Sequence, residues 1–189
     1  MSSPTANSTK NQIIHEASKM LLSRGLNGFS LQELAATLNI KKSSLFHHYP
    51  SKNALAIEVY RFYQFAFSNW TEKYAHLKAE KQIITYTETL TSWICEKQRV
   101  CPVGALSLEW KLVDPDLQAE ITKLHIIQKQ WLTKLFKVIK VEQGLRVPIA
   151  DAVLQTMGLI QGSIQLARMN NDPQLVKKNL KSFLNIIKE

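Results

Sequence analysis

Between Lys42 and His48 the sequence sets Lys42, Ser43, Ser44, Phe46, His47 and His48 side by side. These side chains can donate, accept or stack, and none is a carboxylate. They are poorly suited to catalysis, because a nucleophile needs a base within hydrogen-bond reach and no such spacing occurs. His47 and His48 are adjacent, so on a helix they point in different directions and make no shared metal site. The set does suit the edges of DNA bases. The major groove presents donors, acceptors and thymine methyls beside phosphates that repel acids. The plainer alternative is a short surface helix that happens to lack acids.

The neighbouring elements decide between these readings. Ser30 and Glu33 have the spacing of a capping box. Leu31, Leu34, Ala35 and Leu38 follow at the spacing of one apolar helix face. Asn39 stands where the chain must turn and tolerates a left-handed backbone. A second short helix runs from about Lys42 to Tyr49 and stops before Pro50. Leu45 and Tyr49, one turn apart, are its core residues. Two short helices around a tight turn, with an acid-free outer face, form a helix-turn-helix.

Charge agrees with this. The formal net charge is +9. Up to residue 55 there are six Lys/Arg (Lys10, Lys19, Arg24, Lys41, Lys42, Lys52) against two acids, Glu16 and Glu33. This segment is about twice as basic per residue as the remainder, which favours a polyanionic partner there. No run of ~18 apolar residues could span a membrane. The N-terminus has neither a basic region nor an apolar core, so it does not read as a signal peptide. Cys95 and Cys101 make no disulfide framework or metal-ligand set. The chain reads as cytoplasmic, non-enzymatic, and without cofactor or metal.

Nine helices and no strand are expected. Residues 1–8 read as a disordered tail. Thr9 and Gln12 cap a first helix that Gly25 ends, and the helix-turn-helix follows. Ser51 caps a fourth helix reaching about Leu77, crowded with rings from Tyr60 to Tyr74. A fifth covers residues 82–98, and a shorter sixth covers Val103 to Leu112. The seventh runs from Asp114-Pro115 to about Lys140. Its inward stripe is Leu117, Ile121, Leu124, Gln128, Trp131, Leu135 and Val138, with Gln128 polar in an apolar row. The eighth runs from Pro148 to about Met169, and Asn171-Asp-Pro starts the ninth. The eighth helix carries Val153, Leu154, Met157, Ile160, Ile164 and Ala167 with small residues at Gly158, Gly162 and Ser163. Both terminal helices are apolar on more than one face, which predicts a homodimer through them. A twofold dimer sets two recognition helices about one DNA turn apart, ~34 Å.

Residues 9–55 resemble the DNA-binding domain of TetR-family transcriptional regulators. The resemblance is carried by Leu34-Ala-Ala-Thr-Leu-Asn-Ile-Lys-Lys-Ser-Ser-Leu-Phe-His-His-Tyr-Pro-Ser-Lys-Asn-Ala-Leu55. Asn39 stands where the family usually has Gly, and Lys41 where it usually has a Ser/Thr cap. The resemblance implies an all-α, two-domain regulator, with a helix-turn-helix domain at 9–55 and an effector-binding and dimerisation domain at 56–189. It implies a double-stranded DNA operator as partner, met by Lys42, Ser43, Ser44, Phe46, His47 and His48. Gln32 would reach a base or phosphate, while Lys41 and Lys52 would grip phosphates. It also implies a small-molecule effector and, by the family default, repression. Pocket candidates are Gln128 and Gln161 with Phe62, Trp93, Cys101, Trp110, Trp131 and Met157. Cys101-Pro-Val-Gly, with Glu109 downstream, resembles a subgroup some of whose members sense electrophiles or oxidants through a cysteine. Arg99 and a following helix start would make the Cys101 thiol reactive. A small buried residue shaping a turn is the plainer reading of Cys101. A helical ligand carrier that has lost DNA binding is the functional alternative.

Overall fold

The computed structural model describes residues 6–97 and 99–189, with side chains at 9–92 and 99–189. Among the described residues there are eight α-helices and no strand. They are α1 (Ala6–Arg24), α2 (Leu31–Thr37), α3 (Lys42–His48), α4 (Lys52–Lys73), α5 (Ala79–Lys97), α6 (Pro115–Gln143), α7 (Ile149–Asn170) and α8 (Gln174–Ile187). No described helix is long and apolar enough to cross a membrane.

Local chemistry sets most boundaries. Ser30 Oγ accepts the Glu33 N–H at 3.0 Å, and Ser51 Oγ accepts the Ala54 N–H at 3.0 Å. These are orphan helix donors satisfied by hydroxyls. The return arm of the Ser30 capping box is not made, because the Glu33 carboxylate pairs with Arg24 Nη1 instead. That pairing, first of all the Arg24 hydrogen bond, holds the Glu33 carboxyl below its ordinary value. Asn39 adopts φ +52°, the left-handed turn expected of it, and Asn171 ends α7 in the same way at φ +50°. α1 begins at Ala6, ahead of the expected Thr9 cap, so Thr9 lies inside the helix. Residues 1–5 of the expected tail lie outside the described residues.

The sixth expected helix does not form. Val103–Leu112 is a chain of turns closed by i→i+3 bonds, Ala105 N–H to Pro102 O, Ser107 N–H to Gly104 O and Glu109 N–H to Leu106 O, and it ends in one 3-10 turn at Trp110–Leu112. Two competitors account for this. The Pro102 carbonyl accepts the Tyr60 hydroxyl at 2.8 Å, and Ser107 Oγ donates to Gly104 O at 2.9 Å. Gly104 itself disfavours a helix. The run of turns buries Leu106 and leaves Leu108 fully exposed.

The chain forms two compact units. One takes the chain up to Ala66 together with Pro102–Leu124, and the other takes Phe67–Cys101 with His125–Glu189. These units do not coincide with a cut at residue 55. The first has a core of Ile13, Leu21, Leu34, Leu45, Leu55, Val59 and Tyr60. In the second, α5, α7 and α8 pack on one another, and Ile83, Phe136, Ile139, Val153, Ile164 and Leu180 are buried. The expected stripe on α6 holds to Leu135 and then drifts. Val138 is exposed and Ile139 is buried, because 3.6 residues per turn carries a long stripe sideways. On α7, Leu154 points outward at 69% exposure.

Candidate nucleic-acid interface and effector cavity

Leu45 is fully buried and Tyr49 nearly so, and these two anchors fix which way α3 faces. Lys41, Lys42, Ser43, Phe46 and His47 are exposed, Ser44 and His48 half-buried. Gln32 is exposed in the first turn of α2. Lys41 is the N-cap of α3 and makes no side-chain capping bond, as its amine requires. Lys42 Nζ lies 5.6 Å from the centre of the Phe46 ring. The His47 and His48 rings meet edge-on at 5.6 Å. Among the described residues no three metal-ligating side chains cluster. No residue of α3 itself carries a carboxylate.

Lys52 is half-buried and already engaged. Its Nζ donates to the Phe29 carbonyl at 3.1 Å and sits 5.4 Å from the Phe29 ring centre. One donor ties α4 to the residue before the Ser30 cap, and an ammonium has two more to offer. A groove of about 350 Å³ at the foot of α3 is lined by Lys10, His48, Tyr49, Ala54, Glu58 and Arg61. The acid in it, Glu58, is paired with Arg61 at 2.6 Å. Burial, with a smaller contribution from the Glu58 charge, pushes the Tyr49 phenol up to about 12. Its hydroxyl is buried with no hydrogen-bond partner.

One tie within this unit was not visible in the sequence. The Glu109 carboxylate accepts the Asn27 side-chain amide at 2.7 Å and the Asn27 backbone N–H at 3.3 Å. The turn segment after Pro102 is thereby fastened to the loop between α1 and α2. Gly25 stands at φ +76° in that loop, a conformation that residues with a side chain rarely adopt. A Cβ there would stand 2.1 Å from Glu109 Oε1.

In the second unit Cys101, Gln128, Trp131, Met157 and Gln161 line one cavity with Tyr86, Leu132 and Ile160. Five of the eight pocket candidates therefore meet. Phe62 and Trp110 do not, since both lie in the first unit and are partly exposed. The Trp93 side chain lies outside the described residues. The cavity offers water only about 20 Å³, room for roughly one molecule. Gln128 Nε2 donates to the Tyr86 hydroxyl at 2.9 Å, which explains a glutamine in an apolar stripe. Burial, then the neighbouring Cys101, pushes the Tyr86 phenol well up. Tyr86 was a missed pocket residue. Its signal, a polar-tipped side chain in register with Ile83 and Leu90, is the one that marks Gln128. Behind the cavity wall Phe67, Trp70, Tyr86 and Trp131 form a ring cluster. Cys101 is buried and does not precede a helix, so the helix-start contribution expected for its thiol is absent.

The outward face of α7 carries Leu154, Gly158, Gly162, Leu166 and Met169. A Cβ on either glycine would meet nothing within 4 Å in the chain. Ser163 turns the other way and accepts Asn179 Nδ2 of α8 at 3.0 Å. Ile186 of α8 is also exposed.

Residues 13–59 match the family described as bacterial regulatory proteins, tetR family. No curated protein gives a significant match to the sequence. Solved structures do match over nearly the whole chain. A TetR-family transcriptional regulator from Agrobacterium tumefaciens is similar at TM-score 0.87 and 20% identity, covering 97% of this chain and 99% of its own. A TetR transcriptional regulator from Legionella pneumophila is similar at TM-score 0.85 and 19% identity, with both chains fully covered. Escherichia coli NemR in its reduced form is similar at TM-score 0.78 and 19% identity, over 95% of this chain and 97% of that one. At such identities the structures speak for the fold alone, and it is the helix-turn-helix segment, residues 13–59, that carries the match to the tetR family of bacterial regulatory proteins.

Proposed function

We propose that the protein is a ligand-responsive repressor that works in the cytoplasm. It binds a palindromic operator as a homodimer and is released by a small-molecule or electrophilic effector. The observation that carries this is α3, whose Leu45 and Tyr49 are sunk in the core while its whole outer face lacks carboxylates. In this reading Ser43, Ser44, Phe46, His47 and His48 read bases, Gln32 reaches a base or phosphate, and Lys41, Lys42 and Lys52 hold phosphates. The outward stripe on α7, with α8 beside it, supports the dimer, since exposed Leu154 and Met169 flank glycines that let a second helix approach. The effector enters at the Tyr86–Gln128–Trp131 cavity, and its binding alters the spacing of two reading heads. A mobility shift on the protein's own promoter region at two salt concentrations tests the reading. A band that weakens at higher salt is expected, and no band at either concentration sinks it.

Cys101 favours an electrophilic effector, because its thiol lies against the cavity rather than on the surface. The similarity to NemR, described in a reduced form, fits that reading. N-ethylmaleimide is expected to release DNA from the wild type and not from Cys101→Ser. Equal release from both would remove the cysteine from the mechanism.

A further inference from the structure

We propose that the cavity among α5, α6 and α7 takes a neutral, flat ring compound bearing a hydrogen-bond acceptor such as a carbonyl oxygen. This rests on the effector reading above and specifies the chemistry of the ligand.

Charge is the first argument. None of the described lining residues carries a formal charge, and the polar members are Tyr86, Gln128, Gln161 and Cys101. A carboxylate, phosphate or ammonium would lose its water there and gain no counter-charge. Ring geometry is the second. Trp131 meets Phe67, Trp70 and Tyr86 at centroid distances of 5.5, 5.7 and 5.4 Å, at interplanar angles of 90°, 87° and 69°. Trp131 stands steeply inclined to all three rings, so it does not form with them the facing parallel walls of a cage for a quaternary ammonium. A further flat ring extends such a cluster by the same edge-to-face contact.

The third argument is an unmet donor. Trp131 is 9% exposed, lines the cavity, and its Nε1–H is buried without an acceptor. Buried donors are seldom left so. The neighbouring Gln128 amide already gives a hydrogen to the Tyr86 hydroxyl. What this site lacks is therefore an acceptor. The space is closed to about one water, so a ligand must part the walls, and the flexible thioether of Met157 is the adaptable member. A compound that pairs the indole N–H only after entry has the differential affinity needed to favour an opened state.

Calorimetry on the full chain with 9-fluorenone and fluorene, which differ in the carbonyl, tests this. 9-Fluorenone is expected to bind wild type about three- to tenfold more tightly than fluorene, the usual worth of one neutral hydrogen bond. In Trp131→Phe the two should bind alike, and 9-fluorenone-4-carboxylate should bind wild type at least about tenfold more weakly than 9-fluorenone. Equal binding of the two rings to wild type, a preference that survives in Trp131→Phe, or no binding of either overturns the proposal. So does tighter binding of the carboxylate or of tetramethylammonium. The mobility shift separates this from the effector reading. Binding as expected with unchanged DNA affinity keeps the site and its ligand class and removes the effector role.

Discussion

The Glu109 carboxylate holds Asn27 by both its side-chain and its backbone N–H, across 82 residues of sequence. The same carboxylate fills the space beside Gly25. Gly25→Ala is expected to destabilise the fold by about 1–3 kcal/mol through positive-φ strain and the clash. Glu109→Ala, which frees a partly exposed pair, should cost about 1 kcal/mol. The two changes share one space, so in combination they should cost less than their sum. Denaturant titrations of the four proteins measure that coupling, and strict additivity would show that Gly25 and Glu109 do not meet.

Lys52 and His47 should separate affinity from specificity. Lys52→Ala is expected to weaken DNA binding on every sequence alike and to flatten the salt slope by about one unit. His47→Ala should shift sequence preference and leave the slope nearly unchanged. Fluorescence anisotropy over a salt series, followed by operator selection from random DNA, reads both. Because Lys52 Nζ also bonds the Phe29 carbonyl, a melting curve accompanies the measurement. An unchanged slope with lowered stability would confine Lys52 to that structural bond.

Gly158 tests whether a second copy of the chain covers α7. Nothing in the chain lies within 4 Å of the Cβ it lacks. In a protomer with that face open to water, Gly158→Ala should stabilise the helix by about 0.5–1 kcal/mol. In a dimer closed there by backbone approach it should weaken association instead. Analytical ultracentrifugation of wild type, Gly158→Ala and Gly158→Leu is expected to show progressively weaker dimers. Identical association for all three would move the interface elsewhere.

Tyr49 gives the fold an alkaline limit. Its phenol is held up to about 12 by burial, against 10.0 for the free group. Between these values the unfolded chain loses a proton that the folded chain keeps. Stability from this group is therefore constant below pH 10 and falls as pH rises from 10 to 12. Tyr49→Phe should show a smaller fall, since the raised Tyr86 phenol contributes one of its own, and urea titrations at pH 9 and pH 11 measure the difference. Parallel losses in both proteins would show that Tyr49 is not the titrating group.

Local signals could be read from the sequence wherever one residue's own chemistry decides. Ser30 and Ser51 cap because hydroxyls accept helix N–H groups, and Asn39 turns because it tolerates a positive φ. Leu45 and Tyr49, one turn apart, fix the face of α3. Gln128 stood out because a polar group in an apolar stripe needs a partner. Two of the misreadings involve partners distant in sequence. Arg24 drew Glu33 away from its capping box, and Tyr60 took the Pro102 carbonyl at the start of the expected sixth helix. Phe62 and Trp110 have rings like that of Trp131, but a ring does not say which compact unit will hold it or whether it will be buried. Val138 gave way to Ile139 because a stripe counted over six turns accumulates the mismatch of a 3.6-residue period.

The unit that contains the helix-turn-helix is not a continuous stretch of chain, since Pro102–Leu124 belongs to it. On the ribosome it cannot be completed when residue 66 emerges. It must wait, with Tyr60 lacking Pro102 and Asn27 lacking Glu109, until α6 has begun to appear. The same discontinuity sets a rule for dissecting the protein. A fragment ending at residue 55 or 66 carries every residue proposed to touch DNA, yet lacks the segment that holds its first loop in place.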